Sequence, residues 1–442
     1  MEINQQFLDK SRQSFANDRA FRIAQRAATN TGLLESSINR SEDETNRHTF
    51  NIDLTETEIR SQNQSGRCWI FAAMNVMEYK VAQKFNLKEF EISQSYIYFY
   101  DKLERCNYFF ESILNTLDED LDSRLLAHLL TDPMGDGGQW DMVKNIINKY
   151  GIVPKAAMPE SKNSSNSDQM NNYLTKILRM DAKNLRQAHA EGKSIEDLRD
   201  LVQAYMVDIY NALSISLGTP PEKVDFETRD KDNKFISYKN ITPKEFFDLL
   251  DMDLDDYISI INAPTKDKPY YKSYTVEYLG NVVEGEIVRY VNLPIDEMKK
   301  AILKQLQDDE PVWFGCDVGQ FFNRSGSRLD LSTANVLDLF NVDYDFDKED
   351  RLDYHESLMT HAMVFMGADY DETSNKINRY KVENTWGKNS GHKGYLVMSD
   401  EWFDQYMYQA LIHKKHLPQE VIDAYQEEPI KLKPWDPMGS LA

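Results

Sequence analysis

Polarity along the chain flips at Gly66. Ahead of it runs the polar stretch S-Q-N-Q-S-G-R (61–67); beyond it Ile70, Met74, Met77, Val81 and Phe85 recur at three- and four-residue steps. That is the period of a helix with one buried face. A second helix is predicted over F-E-I-S-Q-S-Y-I-Y-F-Y-D-K-L-E-R (90–105), with Ser93 as N-cap and Tyr96, Phe99, Tyr100 and Leu103 as its apolar face. W-D-M-V-K-N-I-I-N-K-Y-G follows a Gly-rich turn and reads as an amphipathic helix closed by Gly151. After a polar loop (160–170), helical patterning continues to about Leu217. T-P-P-E-K (219–223) breaks it, and Thr242 with Pro243 opens another helix.

From Tyr274 the pattern becomes that of strands: Y-T-V-E-Y-L-G-N-V-V, then E-I-V-R-Y-V-N-L. A helix (294–306) precedes the apolar strand P-V-W-F-G-C-D-V (311–318). Two more strands are predicted in M-T-H-A-M-V-F-M-G-A-D-Y (359–370) and Y-K-V-E-N-T-W-G (380–387). Residues 1–60 are polar and mixed; Phe7 to Ala28 is helix-compatible, and T-F-N-I-D-L-T (49–55) reads as a short strand or an extended arm. A removable pro-segment is the alternative reading of this stretch.

A chain of 442 residues exceeds what one core usually supports, so subdomains are expected. Helices ahead of strands make the class α+β. The divisions are an N-terminal arm (1–60), a helical lobe (61–155), a mostly helical insertion (156–270), a β-rich lobe (271–430) and a C-terminal arm (431–442).

Composition narrows the functional classes. With 41% hydrophobic residues a sizeable core is available. The net charge of −22 argues against a protein that coats nucleic acid, which needs surplus Lys and Arg. Three cysteines imply no disulfide framework. M-E-I-N-Q-Q-F lacks the basic and apolar regions of a signal peptide, and no apolar run is long enough to span a membrane. The expectation is a cytoplasmic protein, in which the sequon at Asn63 stays unused.

Candidate chemistry centres on Cys68. At the start of a buried helix, unpaired amides and the dipole favour its thiolate, the nucleophilic form. The bland alternative is a small apolar core residue. A turn folded back from Gln62 would aim an amide donor at the atom Cys68 attacks. Nearly 300 residues later, His361 heads an apolar strand and Asn384 ends another. A Cys nucleophile needs a base, and an imidazole needs a group to hold its tautomer. Trp386 would lie over that His–Asn bond and exclude water, or be an ordinary core residue. Bare Gly137 and Gly138 would let a substrate backbone approach, the alternative being an empty positive-φ turn. No phosphate-loop pattern accompanies them.

Other groups read as structural. Cys106 and Cys316 look like core, His189, His392, His413 and His416 like surface, and His355 is a rival base in a polar loop. The acidic loop 343–355 lacks calcium-loop spacing. No metal or cofactor is called for.

Cys, His and Asn in this order, with Gln62, Cys-Trp and Asn-x-Trp-Gly, resemble the papain-like cysteine proteases. G-R-C-W-I-F-A, D-G-G-Q-W-D-M, M-T-H-A-M, V-E-N-T-W-G and the terminal P-W-D-P-M-G-S-L-A narrow the resemblance to the bleomycin hydrolase / aminopeptidase C family, from about Gln62 to Ala442. Within that clan His and Asn lie about 130–150 residues after Cys, so roughly 150 residues are inserted here. The resemblance implies a two-lobe papain-like fold, a retained N-terminal arm and an insertion that builds a hexamer. It implies Cys68, His361 and Asn384 as the triad and Gln62 in the oxyanion hole. Thr385 stands where the clan usually has Ser. The tail, otherwise read as frayed, is implied to lie in the cleft, with the Ala442 carboxylate facing the α-ammonium of peptide substrates. The expected activity is a cysteine aminopeptidase. A cysteine endopeptidase or broad amide hydrolase is the nearer alternative, an idle assembly or nucleic-acid-binding protein the more distant one.

Overall fold

The helix Cys68–Lys84 runs through the middle of the molecule in a computed structural model that describes residues 1–39 and 48–440. Its residues from Cys68 through Tyr79 are all buried, and Val81 with them. The sequence period predicts one buried face; the structure covers every side, because helices pack on one flank and strands on the other. The helical flank is Gln94–Leu114 and Trp140–Tyr150. Ser93 caps the first by accepting from Tyr96 N–H, and Gly151 ends the second at φ +74. A Cβ on Gly151 would come within 2.3 Å of the Pro243 backbone, so only glycine fits there.

The opposite flank is, among the described residues, a sheet of twelve strands. At its centre Met407–His413, Val312–Cys316, His361–Asp371, Lys376–Glu383 and Tyr395–Ser399 lie side by side, all antiparallel. Trp313 reaches from this sheet to donate its indole N–H to the Trp69 carbonyl (3.2 Å). Asn75 of the central helix donates to buried Glu383 (2.6 Å), the residue before Asn384. One core therefore joins the two lobes.

The stretch assigned to a helical insertion contains the helices Asp168–Ala190 and Ile195–Leu217 and, from Thr242 as cap, Pro243–Asp248. It also contains a two-stranded hairpin, Val224–Arg229 with Phe235–Ile241. Its end, Tyr257–Ile261, is already a strand of the main sheet. Y-I-S-I-I is a short apolar run, which periodicity alone does not assign.

At the N-terminus there are two long helices, Gln5–Asn17 and Arg19–Thr31, parted at Asp18, whose carboxylate accepts from Ala20 and Phe21 N–H. Neither buries a residue. Further on, Ile52–Asp53 pairs antiparallel with Ala368 and Gly367 of the sheet. Gly367 permits this, since a Cβ there would meet the Ile52 carbonyl at 2.4 Å. Among the described residues no helix is long and apolar enough to cross a membrane.

Candidate active site

Cys68 is the first residue of its helix, and no side chain caps that end. The N–H groups of Ala362, Trp69 and Cys68 itself all favour a negative sulfur, as the helix start predicts. Burial outweighs them and pushes the thiol up to about 11. Here the structure reverses the expectation of a low thiol pKa. Withdrawal from water costs a lone thiolate more than the amides return.

Ala362 follows His361, which opens the strand His361–Asp371. Burial, against the Asn384 hydrogen bond and with help from nearby Arg324, lowers His361 to about 4. Its Nε2 lies 2.9 Å from Asn384 Oδ1, which also accepts from Thr385 N–H (2.7 Å). That bond assigns the Nε2 proton and leaves Nδ1 as the free nitrogen. The dry site thus disfavours either charge alone.

Trp386 lies across this imidazole, ring centroids 4.9 Å apart and tilted by 31°. Arg324 stacks on the far ring system at 5.1 Å from the Trp386 centroid. Sequence reasoning missed Arg324, because nothing local links it to N-T-W-G.

Gln62 is held at three points. Its backbone N–H donates to the Thr385 carbonyl (2.8 Å), its Oε1 accepts from Thr385 Oγ1 (2.7 Å), and its Nε2 donates to the Ser65 carbonyl (2.7 Å). One N–H of that amide is left over. Thr385 keeps the hydroxyl that Ser would offer, and that hydroxyl orients the amide.

The Gly-rich turn is built on Trp69. A Cβ on Gly138 would stand 2.4 Å from the indole, which gives this glycine a packing reason. The Gly137 carbonyl accepts from Arg105 (2.9 Å). Neither glycine has positive φ, so the positive-φ turn reading does not hold. The residue before them, Asp136, was missed. Its carboxylate accepts from Gly66 N–H (3.0 Å), Tyr98, Asn171 and Ser167 and pairs with buried Lys102 (2.8 Å). Its carbonyl takes the Trp69 indole N–H (2.7 Å). These contacts hold its carboxyl well below the usual range despite burial, and they lock the turn ahead of Cys68 to the turn ahead of Trp140.

The C-terminal arm arrives at the same place. Ser440 accepts through its carbonyl from Gln139 Nε2 (2.8 Å) and donates its Oγ to the carbonyl of Met359 (2.7 Å). Ala442 lies outside the described residues. Behind Ser440, Asp436 pairs with buried Lys268 (3.0 Å).

The other candidates stay apart. His355 is exposed. Cys106 is buried with its sulfur 3.5 Å from Met134, and Cys316 is buried opposite His361 in the strand pairing. Among the described residues the cluster with metal-ligand spacing is Asp308, Glu310 and His416, where Lys415 already pairs with both carboxylates. A cavity lined by Lys299, Arg328, Arg379 and Asp400 among others includes none of the site residues.

A buried thiol at a helix start and a buried imidazole held by an amide are the kinds of group that cysteine peptidases use. Their division between a helical and a β-rich lobe is the papain-like form. The chain belongs to the Peptidase C1-like family, which it matches over residues 2–439. Aminopeptidase C of Lactococcus lactis is 45% identical over the whole of both chains. Aminopeptidase C of Listeria innocua is 48% identical, covering 89% of this chain and 88% of its own. Bleomycin hydrolase of Rattus norvegicus is 41% identical over 97% of each. The crystal structure of PepW from Lactobacillus rhamnosis superposes with a TM-score of 0.97 at 47% identity, covering 100% of this chain and 99% of that one.

Proposed function

We propose that this protein is a cysteine aminopeptidase that removes N-terminal residues from peptides. The observation that carries the reading is Ser440, hydrogen-bonded between Gln139, two residues after Gly137, and Met359, two residues before His361. On this reading the carboxylate of Ala442, the residue outside the described part of the arm, supplies the counter-charge for a free α-ammonium and blocks longer chains. The relatives named aminopeptidase C agree with this.

The reaction is acyl transfer. The Cys68 proton passes to His361 Nδ1, and the sulfur attacks the first peptide carbonyl. The oxyanion is met by the spare Gln62 N–H and the Cys68 backbone N–H. The C–N bond breaks as His361 protonates the leaving amine, giving a thioester. His361 then deprotonates a water, which displaces the sulfur and releases the amino acid. Asn384 keeps Nε2 protonated throughout, and Trp386 covers that bond. Gly137 and Gly138 border the substrate backbone. No metal enters any step.

Cys68→Ser abolishes turnover, since a serine hydroxyl is a far weaker acid than the thiol and the imidazole cannot take its proton in this dry site; residual rates above the uncatalysed level would refute the assignment. The deciding assay compares a fluorogenic aminoacyl amide with its N-acetylated twin, with and without a cysteine-directed inhibitor. Inhibitor-sensitive cleavage of the free amine alone supports the reading. Equal cleavage of both supports a broad amide hydrolase, the reading that the similarity to bleomycin hydrolase favours.

Assembly is the second part of the proposal. Phe7, Phe15 and Ile23 of the N-terminal helices and Tyr173, Val207 and Ile215 of the insertion are exposed. Residues 1–31 carry five basic and three acidic side chains in a chain of net charge −22. A basic, apolar arm on an acidic molecule suits docking to another copy, and a homohexamer is the form the family resemblance suggests. Sedimentation as a stable 51.5 kDa monomer would sink it. Three free cysteines suit a reducing, cytoplasmic setting.

A further inference from the structure

Gln139 occupies the N-cap position of the helix Trp140–Tyr150, yet its side chain caps nothing. It is fully buried, and its Oε1 has no hydrogen-bond partner. A buried acceptor left unsatisfied is a cost, and a methionine would fill the same space without it. What the amide provides is one bond, from Nε2 to the carbonyl of Ser440, 301 residues away in sequence. Ser440 uses its hydroxyl for a second bond, to the Met359 carbonyl. One residue of the arm is thereby fastened to both lobes. Gln139 directly follows Gly138, and Met359 precedes His361 by two residues.

The rest of the arm is held further back. Asp436 pairs with Lys268, the Tyr290 hydroxyl donates to the Met438 carbonyl, and Trp435 stacks under Arg124. Those contacts fix where the arm comes from, not where it ends. Outside the arm itself, the hydrogen-bond partners of Ser440 among the described residues are Gln139 and Met359.

We infer that Gln139 is a positioning residue for exopeptidase specificity: its amide clasps Ser440 and so fixes the end of the described arm against both lobes. This rests on the aminopeptidase reading above. The clasp acts through the arm, so it touches neither the reacting sulfur nor the imidazole.

The test is Gln139→Met, which keeps the volume and removes the donor, with Gln139→Ala as a second variant. Each is assayed with the free-amine and N-acetylated amides, alongside iodoacetamide labelling of Cys68 and thermal unfolding. The expected result is a rise of about tenfold in the blocked-to-free ratio of kcat/KM, the loss of one hydrogen bond's worth of positioning. It should appear as a raised KM for the free amine, with kcat and the labelling rate little changed. A folded Gln139→Met protein with the wild-type ratio overturns the inference. Removing residues 441–442 separates the two levels. A shifted ratio in that truncation, with none in Gln139→Met, discards Gln139 alone; no shift in either discards the arm as gatekeeper.

Discussion

The two ends of this chain present opposite solutions to the same problem. The N-terminal helices Gln5–Asn17 and Arg19–Thr31 are well capped and bury nothing. The C-terminal segment has no long helix, but Leu432 and Met438 are buried, Asp436 meets Lys268, and Ser440 spans both lobes. Local helical regularity thus says little about attachment. An end becomes part of the site when a few of its polar groups find buried partners, and stays peripheral when none of its side chains is buried.

Deleting one end and then the other is the most direct way to break the comparison. Removing residues 441–442 is expected to lower kcat/KM for free-amine peptides between about 100-fold and 1,000-fold, the cost of taking one charge from a desolvated pair. N-blocked peptides should gain. A truncated protein with unchanged preference would make the two ends equivalent after all.

Lys268→Met tests the anchor behind Ser440. It leaves Asp436 nearly buried without its cation, at a cost of about 3 kcal/mol in chemical unfolding. The same variant should drift toward the substrate preference of the truncated protein. Unfolding at wild-type denaturant concentrations would show the pair to be ornamental.

Acid pH probes the centre between the ends. His361 is lowered from 6.5 to about 4 in the fold. A depressed histidine contributes stability that is present above pH 6.5 and lost as pH falls toward 4. Relative to His361→Gln, in which other titrating groups cancel, wild-type stability should fall by about 3 kcal/mol over that window. A flat difference would mean that the imidazole is not dry. Deleting residues 1–31 should leave this slope as it is.

The smallest effect belongs to that deletion itself. With no buried residue lost, unfolding should move by less than about 0.5 kcal/mol, while sedimentation should show smaller assemblies. A large drop in monomer stability would erase the contrast.

By itself the sequence determined the candidate site residues and their local settings. Cys68 at a helix start, His361 at the head of a strand and Asn384 at the end of another follow from apolar periodicity and its breaks. So do the caps at Ser93, Thr242 and Gly151, because each of these signals lies within a few residues of what it controls. Only the tertiary structure decided the rest. It put Thr385 on Gln62, Asp136 between two turns, Arg324 over Trp386 and Ser440 between Gln139 and Met359. It also made Tyr257–Ile261 a sheet strand, and it turned a thiol that the helix start favours as an anion into one that burial holds neutral. Partners far apart in the chain leave no periodic trace, and the loss of water around a charge is a sum over every element that closes on it.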